Sequence, residues 1–551
     1  MDGRSYSPTR IVVSAILVVA AAMLLVATAL AGPTRNAAAS GPAAAGKVGG
    51  TLRVNLSTTD VQYTDPSLEY ESTGWQVEYA TALKLLNWRE TKATLFPEAA
   101  TAFPRVGKGG RIYTFTIRPG LRLSNGEKVT AANFKYAFQR ANNPKMNSPA
   151  AAFLSDVSSV TTKGKYTLVI NLNKARPDFA SIVSMPFFQA ISLKMPIDPN
   201  GVKTSPSGGP YYISARDIGR SIVLSRNKYY KGNRPHNPNL ISIQVNTNLD
   251  TSLLQVRSNQ RDYDMFGVPP TAHVQLHNQY PKQYHVKPGV ITDFLTMNTT
   301  YGSKGEGIKN HSCFNGYTGP GVHTRQAVNY IVNRPAALAQ RGAFAGTPTN
   351  QILPPTMPGF HNWRKQLGYP TSRPNVSKAR SLKPKKCNIV FYAATSPTSI
   401  GIAQLVKNDL NKIGINADIK TFPFAVRISK EGHRGEPYDL DLQAWGADYP
   451  DPVDFVDILL DGRNIQAENN NNNAYFNNPT FNKRMQQAGR ISNLSKRYSA
   501  WALIDRDVMK QQAPLAPLFF RTVREFTSKR VGCYSYQPIY AVMNFNAVCI
   551  K

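Results

Sequence analysis

The chain has 551 residues, of which 42% are hydrophobic, 10% aromatic and 18% charged, and its 65 Lys and Arg against 33 Asp and Glu leave a net charge of +32. Such a length holds roughly three or four domains' worth of polypeptide, and the composition is that of globular proteins, which excludes collagen, coiled coil and wholesale disorder. Only Ile11 to Ala31 stays apolar for about the 20 residues of a bilayer-spanning helix, so a polytopic membrane protein is excluded as well.

Excess basic charge favours anionic partners without specifying a fold. Nucleic acid is the sharper reading, but Lys and Arg are scattered and gather on no helix or arm among aromatics. No nucleic-acid partner is therefore expected, and a diffuse basic surface facing anionic lipid or wall polymer is the better account.

Arg4 and Arg10 precede the apolar segment, and Ala29-Leu30-Ala31 before Gly32-Pro33 fits small-residue cleavage. Residues 1–31 therefore read as an export signal or a retained membrane anchor, with no cysteine nearby to carry a lipid. Residues 32–47, rich in Ala and Gly, read as a flexible tether. From Gly49 to Asn55 apolar and polar residues alternate as in a first strand, and Trp75 to Leu86 has helical spacing. Residues 111–123 alternate as two strands about Pro119-Gly120, Thr130 caps a helix that carries Phe134, Ala137 and Phe138 on one face, and residues 166–173 are another strand. The middle of the chain gives strands at YYISARD, SIVLSR and ISIQVN and a helix from Thr251 to Asn259. A strand at residues 292–298 and a helix from Thr324 to Asn333 follow. The last third alternates strand NIVFYAA, helix Ser399 to Ile413, strands INADIKTF and YDLDLQAW, and helix Ser499 to Gln512, as an α/β lobe does.

Cys313, Cys387, Cys533 and Cys549 are even in number, which in an exported chain suggests disulfides. Cys533 and Cys549 bracket a short stretch and are paired first, leaving Cys313 and Cys387 to pair if their geometry permits. Buried free thiols are the alternative. The spacing contains no Cys-x-x-Cys, which argues against zinc.

A search for catalytic constellations finds no Gly-x-Ser-x-Gly, His-Glu-x-x-His, phosphate loop or Gly-x-Gly-x-x-Gly, so no enzyme, no cofactor and no metal are expected. His273 and His277 are four apart on a predicted helix, but no acidic residue accompanies them, and surface or interface histidines are the plainer reading. Asp448, Asp451, Asp454, Asp457 and Asp461 invite comparison with glycosidase carboxylates, yet their spacing fits a solvated helix face with capping charges equally well.

The ordered stretches GGTLRV, LFPEAATAFP, YTFTIRPGLRLSNGEKVTAANFKYAFQR, GGPYYI, IVLSRNKYYKG, HTRQAVNYIVNR, LPPTMPGF and YDLDLQAWGADYPDP resemble the extracellular solute-binding proteins of family 5, the oligopeptide, dipeptide and nickel receptors of ATP-driven importers. The likeness runs from about Gly49 to the C-terminus. It implies an α/β class, a two-lobed periplasmic-binding-protein-like fold with a hinge and an extra inserted domain. The first lobe would take residues 48–90, 205–290 and 518–551, the extra domain 91–204, and the second lobe 291–517. Asn133 and Asn333 stand where aspartate is usual, a departure that bears on capping.

By the same resemblance Asp448 would hold a peptide's α-ammonium, within the segment Trp445-Gly446-Ala447-Asp448-Tyr449. The backbone at Ala444 and Gly446 would pair with the peptide main chain, a recognition that ignores sequence. Tyr70 and Ser72 fall where first-lobe contacts lie, and Gly267 and Val268 match a ligand-touching loop. Leu442 stands where the oligopeptide receptors carry an arginine. The implied protein is a monomeric receptor, exported to the outer face of the cytoplasmic membrane or the periplasm, that gives a peptide or other small solute to the permease and ATPase of an ABC importer. A surface sensory or wall-binding protein of the same fold is the alternative, as is a receptor for nickel, haem or sugar.

Overall fold

The computed structural model describes residues 48–57, 60–300 and 313–551. The export segment and tether expected over residues 1–47 lie outside them. Among the described residues no helix is long and apolar enough to cross a membrane.

The first alternating segment becomes β1 (Thr51–Ser57), followed by α1 (Ser72–Thr81). This helix is shorter than the one expected over Trp75 to Leu86, because Leu83, Lys84, Leu85 and Leu86 are all buried. A helix presents one side to a core, so four consecutive inward residues require another path. Ala82 accordingly turns extended, at φ −68° and ψ 141°.

The next sheet is antiparallel, in the order β2-β3-β5-β4, from β2 (Arg105–Gly107), β3 (Ile112–Thr116), β4 (Val157–Lys163) and β5 (Thr167–Leu172), with α2 (Ala131–Ala141) packed on it. Of the two strands expected over residues 111–123, the first forms β3, and the second is reduced to a bridge between Arg122 and Lys128. Thr130 caps α2 as expected, and Asn133 closes the reciprocal bond by accepting the Thr130 amide at 2.8 Å. Asn333 likewise caps a helix, accepting from the Ala336 amide at 3.1 Å.

The chain then returns to β1. β6 (Tyr211–Asp217), β7 (Ser221–Arg226), β8 (Leu240–Thr247) and β9 (Tyr263–Asp264) complete a sheet in the order β9-β1-β8-β7-β6. Leu52 lies opposite Ile241 and Val54 opposite Ile243, which in turn face Leu224 and Ile222. Opposite residues share a sheet face, and all six are fully buried. Each contributes about 1.5–3 kcal/mol of burial, an upper figure against a compact unfolded chain. α3 (His273–Gln279) packs beside this lobe.

The second lobe contains β10 (Tyr284–Met297), α4 (Pro320–Ile331), α5 (Arg334–Ala339), β11 (Gly346–Pro348), β12 (Cys387–Ala394), α6 (Pro397–Asn411), β13 (Ile415–Phe422), α7 (Phe424–Glu431), β14 (Leu440–Gly446), α8 (Val453–Leu460), α9 (Leu494–Gln511) and β15 (Leu515–Phe526). Its strands are ordered β11-β15-β10-β14-β12-β13. Leu295, Met297, Leu440 and Leu442 pack beneath α4 and α6, while Phe294 and Leu515 on the other face pack beneath α8 and α9. Covering both faces buries the sheet as α/β architecture requires.

β10 and β15 run from one lobe to the other. Thr292–Thr296 pair with Leu515–Phe520 in the second sheet, pairing lapses after Pro288, and Tyr284–Pro288 pair with Thr522–Phe526 beside the first lobe. There Glu525 accepts from Tyr263 Oη at 2.6 Å and from the Met543 amide at 2.8 Å. The boundary expected near residue 518 falls inside β15. Two disulfides brace the molecule, Cys533–Cys549 and Cys313–Cys387.

Candidate functional site

β14 pairs with β10 along its whole length, but with β12 only at Leu440 and Asp441. From Leu442 to Gly446 its second edge meets no strand among the described residues, and an unpaired edge is a template for an extended ligand. Beside that edge Arg427 of α7 bridges Glu431 at 2.6 Å and Asp441 at 2.9 Å, and Gln443 donates to Glu431 at 3.1 Å. Burial and the neighbouring Asp441 charge push the Glu431 carboxyl well above its usual range. Leu442 points into the core under α4 and α6. Ala444 is exposed, Trp445 and Gly446 are half-buried, and the Trp445 Nε1 has no hydrogen-bond partner among the described residues.

The edge ends at Asp448. Its Oδ2 accepts from the Tyr70 hydroxyl at 2.6 Å, and its amide donates to Asp454 Oδ2 at 2.8 Å. Tyr70 and Asp448, 378 positions apart, are thus brought together from opposite lobes. The Tyr70 ring is fixed by Trp75, Phe153 and Phe187, with centroids 5.7, 6.1 and 5.6 Å away. Burial raises Asp448 to about 7 and holds Asp454 well above the carboxylate range, the latter also through the Asp448 charge. Among the described residues neither carboxylate has a cationic partner. Their neighbour Asp451 does, in a two-pronged pair with Arg497 at 2.5 and 2.7 Å.

The remaining expected residues are placed differently. Tyr449 is only 1% exposed, its ring in the core that Trp75 and Tyr540 share with the β2-β3-β5-β4 sheet, and its hydroxyl donates to Asp178 at 3.2 Å. It is therefore part of the packing between lobes, since neither ring nor hydroxyl is left for a solute. Ser72 is exposed at the start of α1. Gly267 and Val268 line a separate cavity of about 170 Å³ with Tyr263, His273, Thr522 and Arg524.

His273 and His277 lie on one helix, α3, as expected, but each has an aromatic neighbour: His273 Nδ1 meets Tyr284 Oη at 2.7 Å, and the His277 ring lies tilted against Phe344 with centroids 4.5 Å apart. Burial and the nearby Arg524 lower His273 to about 4. Among the described residues no cluster of His, Cys, Asp or Glu is arranged to hold a metal.

The solvated helix face expected for the aspartates is corrected by the structure, because Asp451, Asp454 and Asp461 are buried. A signal for this was present: α8 reads VDFVDILL, apolar on nearly every side, and such a helix is interior. Asp454 is the residue that sequence reasoning missed.

Residues 94–467 match the family model of bacterial extracellular solute-binding proteins, family 5. The oligopeptide-binding protein OppA of Bacillus subtilis is 24% identical over 455 residues, covering 75% of this chain and 78% of that one. Two solved structures share the fold. The clavulanic acid biosynthesis oligopeptide binding protein 2 has a TM-score of 0.82 at 21% identity, over 92% of this chain and 96% of that one. The periplasmic binding protein DppA of Helicobacter pylori in complex with the peptide STSA has a TM-score of 0.74 at 19% identity, over 92% and 98%. With two α/β lobes joined by crossing strands and a family match over most of its length, this chain belongs to the bacterial extracellular solute-binding proteins of family 5.

Proposed function

We propose that the protein is the extracytoplasmic receptor of an ABC-type importer, capturing peptides by their free amino end and passing them to a membrane permease and ATPase without chemical turnover. The observation that carries this reading is the unpaired edge of β14 ending at a carboxylate that no cation of the described chain neutralises. Main-chain pairing along Ala444 to Gly446 binds any sequence, and Asp448 sets the register by fixing the ammonium. The two charges, about 4 Å apart, attract by roughly 4 kcal/mol at an effective dielectric near 20, before desolvation is subtracted. Tyr70 supplies the first lobe's contact, closing the cleft over the anchored end. The acidic Arg427–Glu431–Asp441 group beside Leu442 offers a ligand carboxylate no spare cation, so the amino end carries the recognition. Export follows removal of the apolar segment near Gly32.

Native mass spectrometry of the purified protein reveals any peptide that co-purifies, and calorimetry of the parent and Asp448→Asn with free and N-acetylated peptides closes a double cycle. Each change alone is expected to weaken binding by about two to three decades, since the remaining partner is left buried and unpaired, and the two effects should not add. Peptide binding that ignores both changes would refute the anchor.

A further inference from the structure

A second, buried carboxylate lies beside Asp448. Asp454 is 0% exposed in the first turn of α8, beneath the turn that carries Asp448. One oxygen fixes the Asp448 amide at 2.8 Å, while the other, Oδ1, is buried with no hydrogen-bond partner among the described residues. Two carboxylates this close and without a cation cannot both be ionised at modest cost. We propose that Asp448 and Asp454 together hold one proton when the cleft is empty, and that a ligand's ammonium displaces it, so that capture exchanges one positive charge for another.

The inference rests on the proposed ammonium anchor. In the exchange, the O–H bond of the protonated carboxyl breaks, the proton leaves to water, and the ammonium takes its place against Asp448, with the Asp454 carboxylate held behind it. The site's net charge is unchanged, which spares the closed cleft an uncompensated charge. Asp454 is thus a positioning residue, acting on the ligand through Asp448. Asp451, the further acid facing the pair, is raised by burial to about 6, below Asp448, and is held by Arg497. Tyr70 donates its hydroxyl to Asp448, Arg497 is paired with Asp451, Arg176 is paired with Asp178 and Asp156, and Tyr449 donates to Asp178. The raised values of both carboxyls, Asp448 to about 7, agree with a shared proton.

Asp454→Asn keeps the volume and the oxygen that accepts the Asp448 amide, and so should fold. Infrared spectra of the ligand-free, full-length protein at pH 6 are the first test. Subtracting Asp454→Asn or Asp448→Asn from the parent should leave the carbonyl band of one protonated carboxyl, and absence of that band from both differences would overturn the proposal. The second test is calorimetry with trialanine in two buffers of different ionisation enthalpy. For the parent, affinity should rise about tenfold per pH unit between pH 5 and 6 with a proton released, whereas Asp454→Asn should show neither. Equal pH slopes in the two proteins would overturn it, because a purely structural Asp454 would leave the slope intact. If the parent binds neither trialanine nor any component of a casein digest, the peptide reading fails, while the infrared arm still decides the shared proton.

Discussion

Asn133 accepts the Thr130 amide through Oδ1, and its Nδ2 donates to Glu127 at 3.1 Å and to the Ile191 carbonyl at 2.9 Å. The usual aspartate of the family could make the first bond only. Asp in its place would turn an oxygen toward the Glu127 carboxylate and a carbonyl, both acceptors, at a buried position. Asn133→Asp should therefore destabilise the protein by about 1–3 kcal/mol even though it restores the commoner residue, seen as a lower urea midpoint with unchanged slope. The departure visible in the sequence was correctly tied to capping, but its consequence needed the partners of Nδ2, which lie 6 and 58 positions away. Asp454 is the opposite case, a residue whose sequence neighbours already implied burial.

Strands carrying an alternating run were legible, β1 (TLRVNLS) most clearly, because apolar residues at every second position share one sheet face. β15 was not recognised. Its sequence LAPLFFRTVREF opens on an apolar run broken by Pro517, and the structure accommodates that proline where the register with β10 shifts, between Asp293 and Phe294. Alternation could not predict a strand that serves two lobes. At the crossing, a side chain on Gly289 would place its Cβ 2.7 Å from the Arg521 carbonyl oxygen. Gly289→Ala should thus push β10 from β15, lowering the melting temperature by several degrees for a cost of about 1–3 kcal/mol. Calorimetric scanning checks this, and an unchanged transition would mean that the crossing yields freely.

For the whole molecule, buried acids dominate the pH response. Glu69 and Asp505 are fully buried and raised by desolvation to about 7, Asp505 despite accepting from the Ile352 and Leu353 amides. An acid whose folded value lies above its unfolded one binds its proton more tightly in the folded chain. Its contribution is complete below the ordinary range near 4 and is lost as pH rises through about 7. Lys84, lowered to about 7 by burial, acts in the reverse sense above that value, and His273 and His285, lowered to about 4, do so within the interval but are outweighed by Glu69, Asp505, Asp448, Asp451 and Asp457. The urea midpoint should accordingly fall as pH rises from 5 to 7, and a midpoint that climbs over that interval would contradict the account. The global arrangement was legible through the ordered resemblance, while the pairing of Tyr70 with Asp448 was not, since no local pattern links residues from different lobes.

Tyr449 is carried by the second lobe and packed in a core built largely by the β2-β3-β5-β4 sheet, α2 and the first lobe. Parting the lobes would wet that ring, at about 1.5–3 kcal/mol, which biases the empty protein toward its shut form by roughly ten- to a hundredfold. A solute is then expected to enter only while the lobes are parted. Stopped-flow mixing should show an association rate that levels off as peptide concentration rises, and Tyr449→Ala should lift the plateau. Under scarcity such a receptor is limited by encounter, and in plenty by its own breathing.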